Sequence, residues 1–109
     1  MGLDIYIDKC REPIITADGR RDYAEREEAC YWRKFWDLLN EGIPFKYGED
    51  EYGQDVRLRK EDVEKILDYV AHNRDYFDGF DTVPQVCELI DNWDKLEKDN
   101  WVINFNANW

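Results

Sequence analysis

The chain has 109 residues, a formal net charge of −11 and no serine. That length supports one hydrophobic core but not two, and 43% hydrophobic residues with 16% aromatic exclude an intrinsically disordered chain. Acids are spread over both halves, which excludes a basic arm, so neither direct nucleic-acid binding through phosphates nor adhesion to an anionic membrane is expected.

The opening GLDIYID alternates, with Leu3, Ile5 and Ile7 on one side and Asp4, Tyr6 and Asp8 on the other. That is the period of a half-buried strand. The first residues lack the basic segment and apolar run of a signal peptide, and no stretch approaches about 18 apolar residues, so a cytoplasmic location is expected. Glu12-Pro13 interrupts the strand, Ile14 to Thr16 reads as a short second strand, and Asp18-Gly19 reads as a turn.

From Asp22 the pattern predicts a helix to about Asn40, capped by Asp22 and stopped by Gly42, with Pro44 beyond. Ala24, Tyr31, Phe35, Leu38 and Leu39 share one face of such a helix, with Trp32 beside them. Glu28 projects onto the same apolar face. A carboxylate buried there unpaired costs on the order of several kcal/mol, so Glu28 is expected to hold a backbone N–H, a tyrosine hydroxyl or an arginine, with a functional acid or simple exposure as the alternatives.

Residues 45–55, FKYGEDEYGQD, read as a polar loop. Glu49, Asp50, Glu51 and Asp55 carry charge enough for Ca²⁺ or Mg²⁺ but lack EF-hand spacing, and a solvated loop without metal is the expectation. A second helix is predicted from about Lys60 to Asn73, with Val63, Ile66, Leu67, Val70 and Ala71 as its stripe. After a loop at 78–81, Thr82 is placed to cap a third helix with Pro84 in its first turn. The buried side of that helix runs Val83, Val86, Cys87, Leu89, Ile90 and Trp93. The closing NWVINFNANW alternates again: Trp101, Ile103, Phe105, Ala107 and Trp109 oppose Asn104, Asn106 and Asn108.

Pairing the first and last strands brings their apolar faces together. The expected architecture is α+β: residues 1–109 as a single domain, with a small antiparallel sheet pairing the N- and C-terminal strands and packed on one face by three helices. Asp4, Tyr6, Asp8, Asn104, Asn106 and Asn108 would then line the outer face, as a solvated surface or as a grip for a polar ligand or partner.

Several chemistries are excluded or lack the residues they need. Without serine there is no Ser-His-Asp hydrolase, and a Cys-His pair would need His72, the only histidine, which the helical pattern turns to solvent. Cys10, Cys30 and Cys87 lack a Cys-x-x-Cys pair and read as small apolar side chains in a reducing compartment. The glycines are too scattered for a phosphate loop or a dinucleotide fingerprint, and no cofactor is expected.

The opening Met1-Gly2-Leu3-Asp4-Ile5-Tyr6, the segment Glu28-Ala29-Cys30-Tyr31-Trp32-Arg33-Lys34, the run Leu58 to Leu67 and the aromatic end at Trp109 together resemble a group of small bacteriophage and prophage proteins. Those proteins share an M-G-L-D-x-Y start, an E-x-x-Y-W-R-K helix and a C-terminal Trp. The resemblance implies a phage-like origin but no activity, and it singles out Asp4, Tyr6, Glu28, Tyr31, Trp32, Arg33 and Trp109 as candidate site positions. The expected function is a non-enzymatic interaction module with a host or phage protein as partner. One alternative is an acidic inhibitor that mimics nucleic acid and occupies a host defence enzyme. Another is a small-ligand binder or enzyme centred on Glu28 with Tyr6, Tyr31 and Arg33. Exposed Trp36, Trp101 or Trp109 would favour self-association.

Overall fold

The computed structural model describes residues 2–73 and 82–109. Chain order is β1 (Asp4–Ile15), β2 (Arg21–Arg33), a π-helical turn (Leu38–Gly42), a 3₁₀ turn (Glu49–Glu51) and β3 (Val56–Leu58), followed by α1 (Lys60–His72), α2 (Val83–Asp91), α3 (Trp93–Lys98) and β4 (Val102–Asn108). The strands form one antiparallel sheet in the order β2-β1-β4-β3, so the first and last strands lie side by side at its centre. The loop expected at 78–81 lies outside the described residues.

The expected alternation sets the register. Ile5 faces Ala107 and Ile7 faces Phe105 across the β1–β4 ladder, while Asp4, Tyr6 and Asp8 face Asn108, Asn106 and Asn104. The apolar side packs against Val63, Ile66 and Val70 of α1 and against Val86, Leu89 and Trp93 of the α2–α3 segment. These residues, with Leu3, Trp32, Phe35 and Leu38, form one continuous core. Leu67 is half-buried and Ala71 exposed, so the α1 stripe is narrower than its sequence suggests. The α1 start is closed by the Asp62 carboxylate, which accepts the Arg59 backbone N–H at 2.9 Å.

Two expectations are corrected. The helix predicted from Asp22 to Asn40 is instead a strand through Arg33, and within the predicted span only residues 36–40, which run into the π-helical turn, are helical. The β1 strand does not stop at Glu12-Pro13 either; it runs on to Ile15 and hairpins into β2 through the Asp18-Gly19 turn. Glu12 takes a left-handed backbone (φ 59°) at the irregularity, and Gly19 supplies φ 82° in the turn. Pro13 is tolerated because β4 pairs only with residues 4–10, leaving that side of β1 without a ladder partner.

The cause of the helix error is a β-bulge. Ile7 pairs with Cys30 but Asp8 pairs with Glu28, so Ala29 is an extra residue in β2. It shifts the alternation by one and turns a period of two into an apparent helical spacing. Before the bulge the core-side positions are Glu25 and Glu27, which read as helix surface. They are held instead by Arg11 at 2.6 Å and Lys9 at 3.2 Å across the strand pair.

The third helix also departs from expectation. It breaks at Asn92, whose side chain donates to the Glu88 carbonyl at 2.9 Å, and restarts as α3. Thr82 stands at the N-cap with Pro84 in the first turn, yet its hydroxyl makes no cap and is buried without a hydrogen-bond partner among the described residues.

Gly42 ends the π-helical turn as expected, but for a packing reason. A Cβ there would lie 2.5 Å from the Tyr69 ring and 2.6 Å from a Leu38 methyl. Gly42→Ala is therefore expected to destabilise the fold by about 1–3 kcal/mol through overpacking between the turn and α1, measured as a lowered urea midpoint.

Candidate functional site

The outer face of the sheet gathers most of the polar residues singled out in the sequence. Its upper half joins Asp4 and Tyr6 of β1 to Arg33 and Tyr31 of β2, which lie directly opposite them. The Tyr31 hydroxyl donates to Asp4 Oδ1, and its ring stands 5.1 Å from that of Tyr6. The bond to Asp4, a small loss of hydration and the Asp4 charge together push the Tyr31 phenol up to about 12. The Tyr6 phenol is also raised, by burial first and then by the carboxylates of Asp4, Glu28 and Asp8. A phenol held protonated is a hydrogen-bond donor, not a base, and the Tyr31 donor is already taken by Asp4.

The lower half is covered rather than solvated. The segment before β3 folds back over the face, where Arg26 of β2 meets Asp55 through two bonds of 2.6 and 3.1 Å and Asp8 through one of 3.0 Å. Asn106 adds a bond of 2.7 Å to the Gly53 carbonyl. The Gly53 N–H in turn donates to the Ala107 carbonyl at 2.9 Å, and Tyr47 accepts the Ala107 N–H at 3.1 Å and donates to the Gln54 carbonyl at 2.8 Å. This loop thereby closes the edge of β4 that the three-residue β3 leaves open. Beneath it Asp8, Cys10 and Asn104 are buried. Burial raises the Asp8 carboxyl above its ordinary value despite the opposing pull of Arg26. Burial likewise pushes the Cys10 thiol up to about 11 and the Cys30 thiol to about 12, which leaves both poor nucleophiles.

The seven singled-out positions therefore separate. Asp4, Tyr6, Tyr31 and Arg33 form one patch. Trp32 points the other way and is buried in the core. Trp109 joins an aromatic group with Trp36, Tyr47 and Tyr52, at 6.4, 6.3 and 4.9 Å between ring centres. Trp101 is covered by Arg11 at 4.3 Å and Lys9 at 5.6 Å. Glu28 is corrected most fully. In a strand beside the bulge it stands opposite Asp8 and is exposed, and among the described residues it holds no hydrogen bond or ion pair. The apolar face assigned to it belonged to a helix that does not form. In the acidic loop, Asp55 is committed to Arg26 and Glu51 accepts the Gly48 N–H at 2.7 Å. Among the described residues no three His, Cys, Asp or Glu side chains are grouped to hold a metal ion.

Residues that the sequence did not single out matter more. Arg26 ties the loop to the sheet, and its role was hidden because the predicted helix separated it from Asp8 and Asp55. Beyond residue 10, β1 pairs only with β2, so residues 11–25 form a two-stranded arm. Its strands have five residues each, four of them paired, and extend about 17 Å past the sheet. Ile14 and Ile15 stand near its tip, 47% and 80% exposed. No family model, curated protein or solved structure matches this chain.

Arg26→Ala leaves Asp8 buried without its cation. A loss of about 2 kcal/mol at neutral pH is expected, below the ~3–5 of a fully buried pair because Arg26 is 34% exposed. Asp8 has a raised pKa in the folded state, so its contribution to stability is greatest below the ordinary carboxylate range and is lost as pH rises through the raised value. Protonating Asp8 removes the charge that Arg26 serves, so the deficit of the variant should narrow as pH falls, read from denaturant curves at several pH values. For Tyr31, ultraviolet titration should show one phenol ionising near pH 12 that returns toward 10 in Asp4→Asn. The stability this bond adds is present below pH 10 and lost as pH rises through about 12.

Proposed function

We propose that this protein is a non-enzymatic interaction module, phage-like in origin and cytoplasmic, that engages a host or phage protein through its projecting hairpin arm. The observation that carries this reading is the exposure of Ile14 and Ile15 on an arm supported by one strand pairing only. Two large aliphatic side chains on a projecting ribbon gain little for the fold and gain most when a partner covers them. The arm has no catalytic set: its side chains near the tip are aliphatic or engaged in turn and ion-pair contacts, such as Thr16 with Asp18 and Arg20 with Asp18.

An acidic mimic of nucleic acid is less well supported. Such a mimic needs ridges of uncompensated carboxylates, whereas Glu25, Glu27, Asp8 and Asp55 are all paired with Arg or Lys. The enzyme reading centred on Glu28 loses the apolar helix face it rested on, since Glu28 is exposed on a strand.

The test compares wild type with Ile14→Asp/Ile15→Asp as bait in a bacterial lysate. Both positions are exposed, so the variant should unfold within about 0.5 kcal/mol of wild type. The proteins captured by wild type should fall at least about tenfold, the loss expected when an apolar anchor worth ~1.4 kcal/mol or more is removed. Identical capture by the two baits, or none above background by either, would overturn the proposal.

A further inference from the structure

A cavity of about 630 Å³ opens where the arm, the lower outer face of the sheet and the 52–55 loop meet. Its volume falls in the range of small-molecule sites, roughly 300–1,000 Å³. The lining runs against the character of the chain. In a protein of net charge −11, Arg20 precedes β2, Arg21 starts it, Arg57 comes from β3 and Arg11 from β1, against a single carboxylate, Asp55.

Which of these charges are free decides what the cavity can hold. Asp55 is neutralised by Arg26, which engages both its oxygens. Arg11 is committed to Glu25 at 2.6 Å, and Arg20 pairs with Asp18 at 3.3 Å in an exposed contact that a ligand can displace. Arg21 and Arg57 have no carboxylate within 4.0 Å among the described residues. A second observation is independent of charge. Asn104, opposite Arg57 in the β3–β4 ladder, lines the same cavity and is only 1% exposed, and among the described residues its Nδ2 has no oxygen or nitrogen acceptor. The thiol beside it, Cys10, is a weak acceptor. A buried donor without an acceptor costs about 1–3 kcal/mol, and an acceptor brought in from outside would recover part of that.

We infer that this cavity is a site for a phosphate monoester of mononucleotide size. Arginines lining one cavity from β2 and β3 suit an anion with three acceptor oxygens, since each guanidinium presents a planar fork of donors. A carboxylate, with two oxygens, satisfies one fork. Tyr52, half exposed on the rim, offers a ring face for a planar group attached to the phosphate.

The experiment titrates wild type with inorganic phosphate, AMP, adenosine and acetate at constant ionic strength, following backbone and Asn side-chain amides by NMR. Phosphate and AMP should shift the Asn104 side-chain amide and the Arg57 backbone amide with a Kd of about 1 mM or tighter, AMP the tighter of the two. Adenosine and acetate should leave them unmoved. Arg21→Ala/Arg57→Ala should weaken AMP binding at least about tenfold, with Arg57→Glu as a second variant that abolishes it. Both arginines are exposed, so a melting curve superimposing on wild type confirms that the fold is intact. Ile14→Asp/Ile15→Asp should bind AMP as wild type does, which separates this site from the docking role of the arm. Absence of shifts with phosphate and AMP, equal shifts with acetate, or AMP binding undiminished in the arginine variants would each overturn the assignment.

Discussion

The whole structure depends on one register, that of β1 against β4. A strand shows its two faces in strict alternation, so a slip of a single residue would carry Asn104, Asn106 and Asn108 into the core and expel Ile103, Phe105 and Ala107. The observed pairing sets Ile5 against Ala107 and Ile7 against Phe105, under α1 and α2, and leaves three Asp or Tyr side chains facing three Asn. Because the two strands come from opposite ends of the chain, this ladder also closes the longest loop in the fold. Everything between residues 15 and 102 is then positioned by what those two strands leave exposed.

What they leave exposed differs along their length. Above Asp8 the outer face is open and carries the Tyr31–Asp4–Tyr6 patch, whose phenols remain protonated donors. Below it, a loop returns across the face and is fastened by one arginine to two aspartates. The desolvation of Asp8 is tolerated because Arg26 supplies a charge-assisted bond and Asp55 keeps that arginine in place. The same closure converts a flat sheet surface into a concave one, and the cavity it forms gathers guanidinium groups in an otherwise acidic protein.

The hairpin shows how local irregularities shape a strand pair. The extra residue at Ala29 and the left-handed backbone at Glu12 both lie in the β1–β2 pair, and bulges bend strands and increase their twist. The paired strands run on past the end of β4 as an arm, held across by Arg11–Glu25 and stiffened by Arg11 lying over Trp101. Near its tip the arm buries little of its own apolar surface, and Ile14 and Ile15 stay exposed.

The sequence alone determined the centre of the sheet, α1 and the start of α2, because there a single periodicity coincides with burial. Leu3, Ile5 and Ile7, the Asn ladder of β4 and the Val63–Ile66–Val70 stripe each carry one unbroken period, and the outer polar face with Asp4, Tyr6, Asp8 and the three asparagines follows from pairing them. Only tertiary structure decided the fate of residues 22–33. Their core-side glutamates are satisfied by Lys9 and Arg11 from a neighbouring strand, and a bulge erases their alternation, so neither burial nor period is written locally. Glu28 followed that decision, moving from an apolar helix face to an exposed strand position. The surroundings of Arg26, Arg57 and Asn104 were equally out of reach, because the neighbours of a charge or an amide are set by what the fold brings within a few ångströms of it.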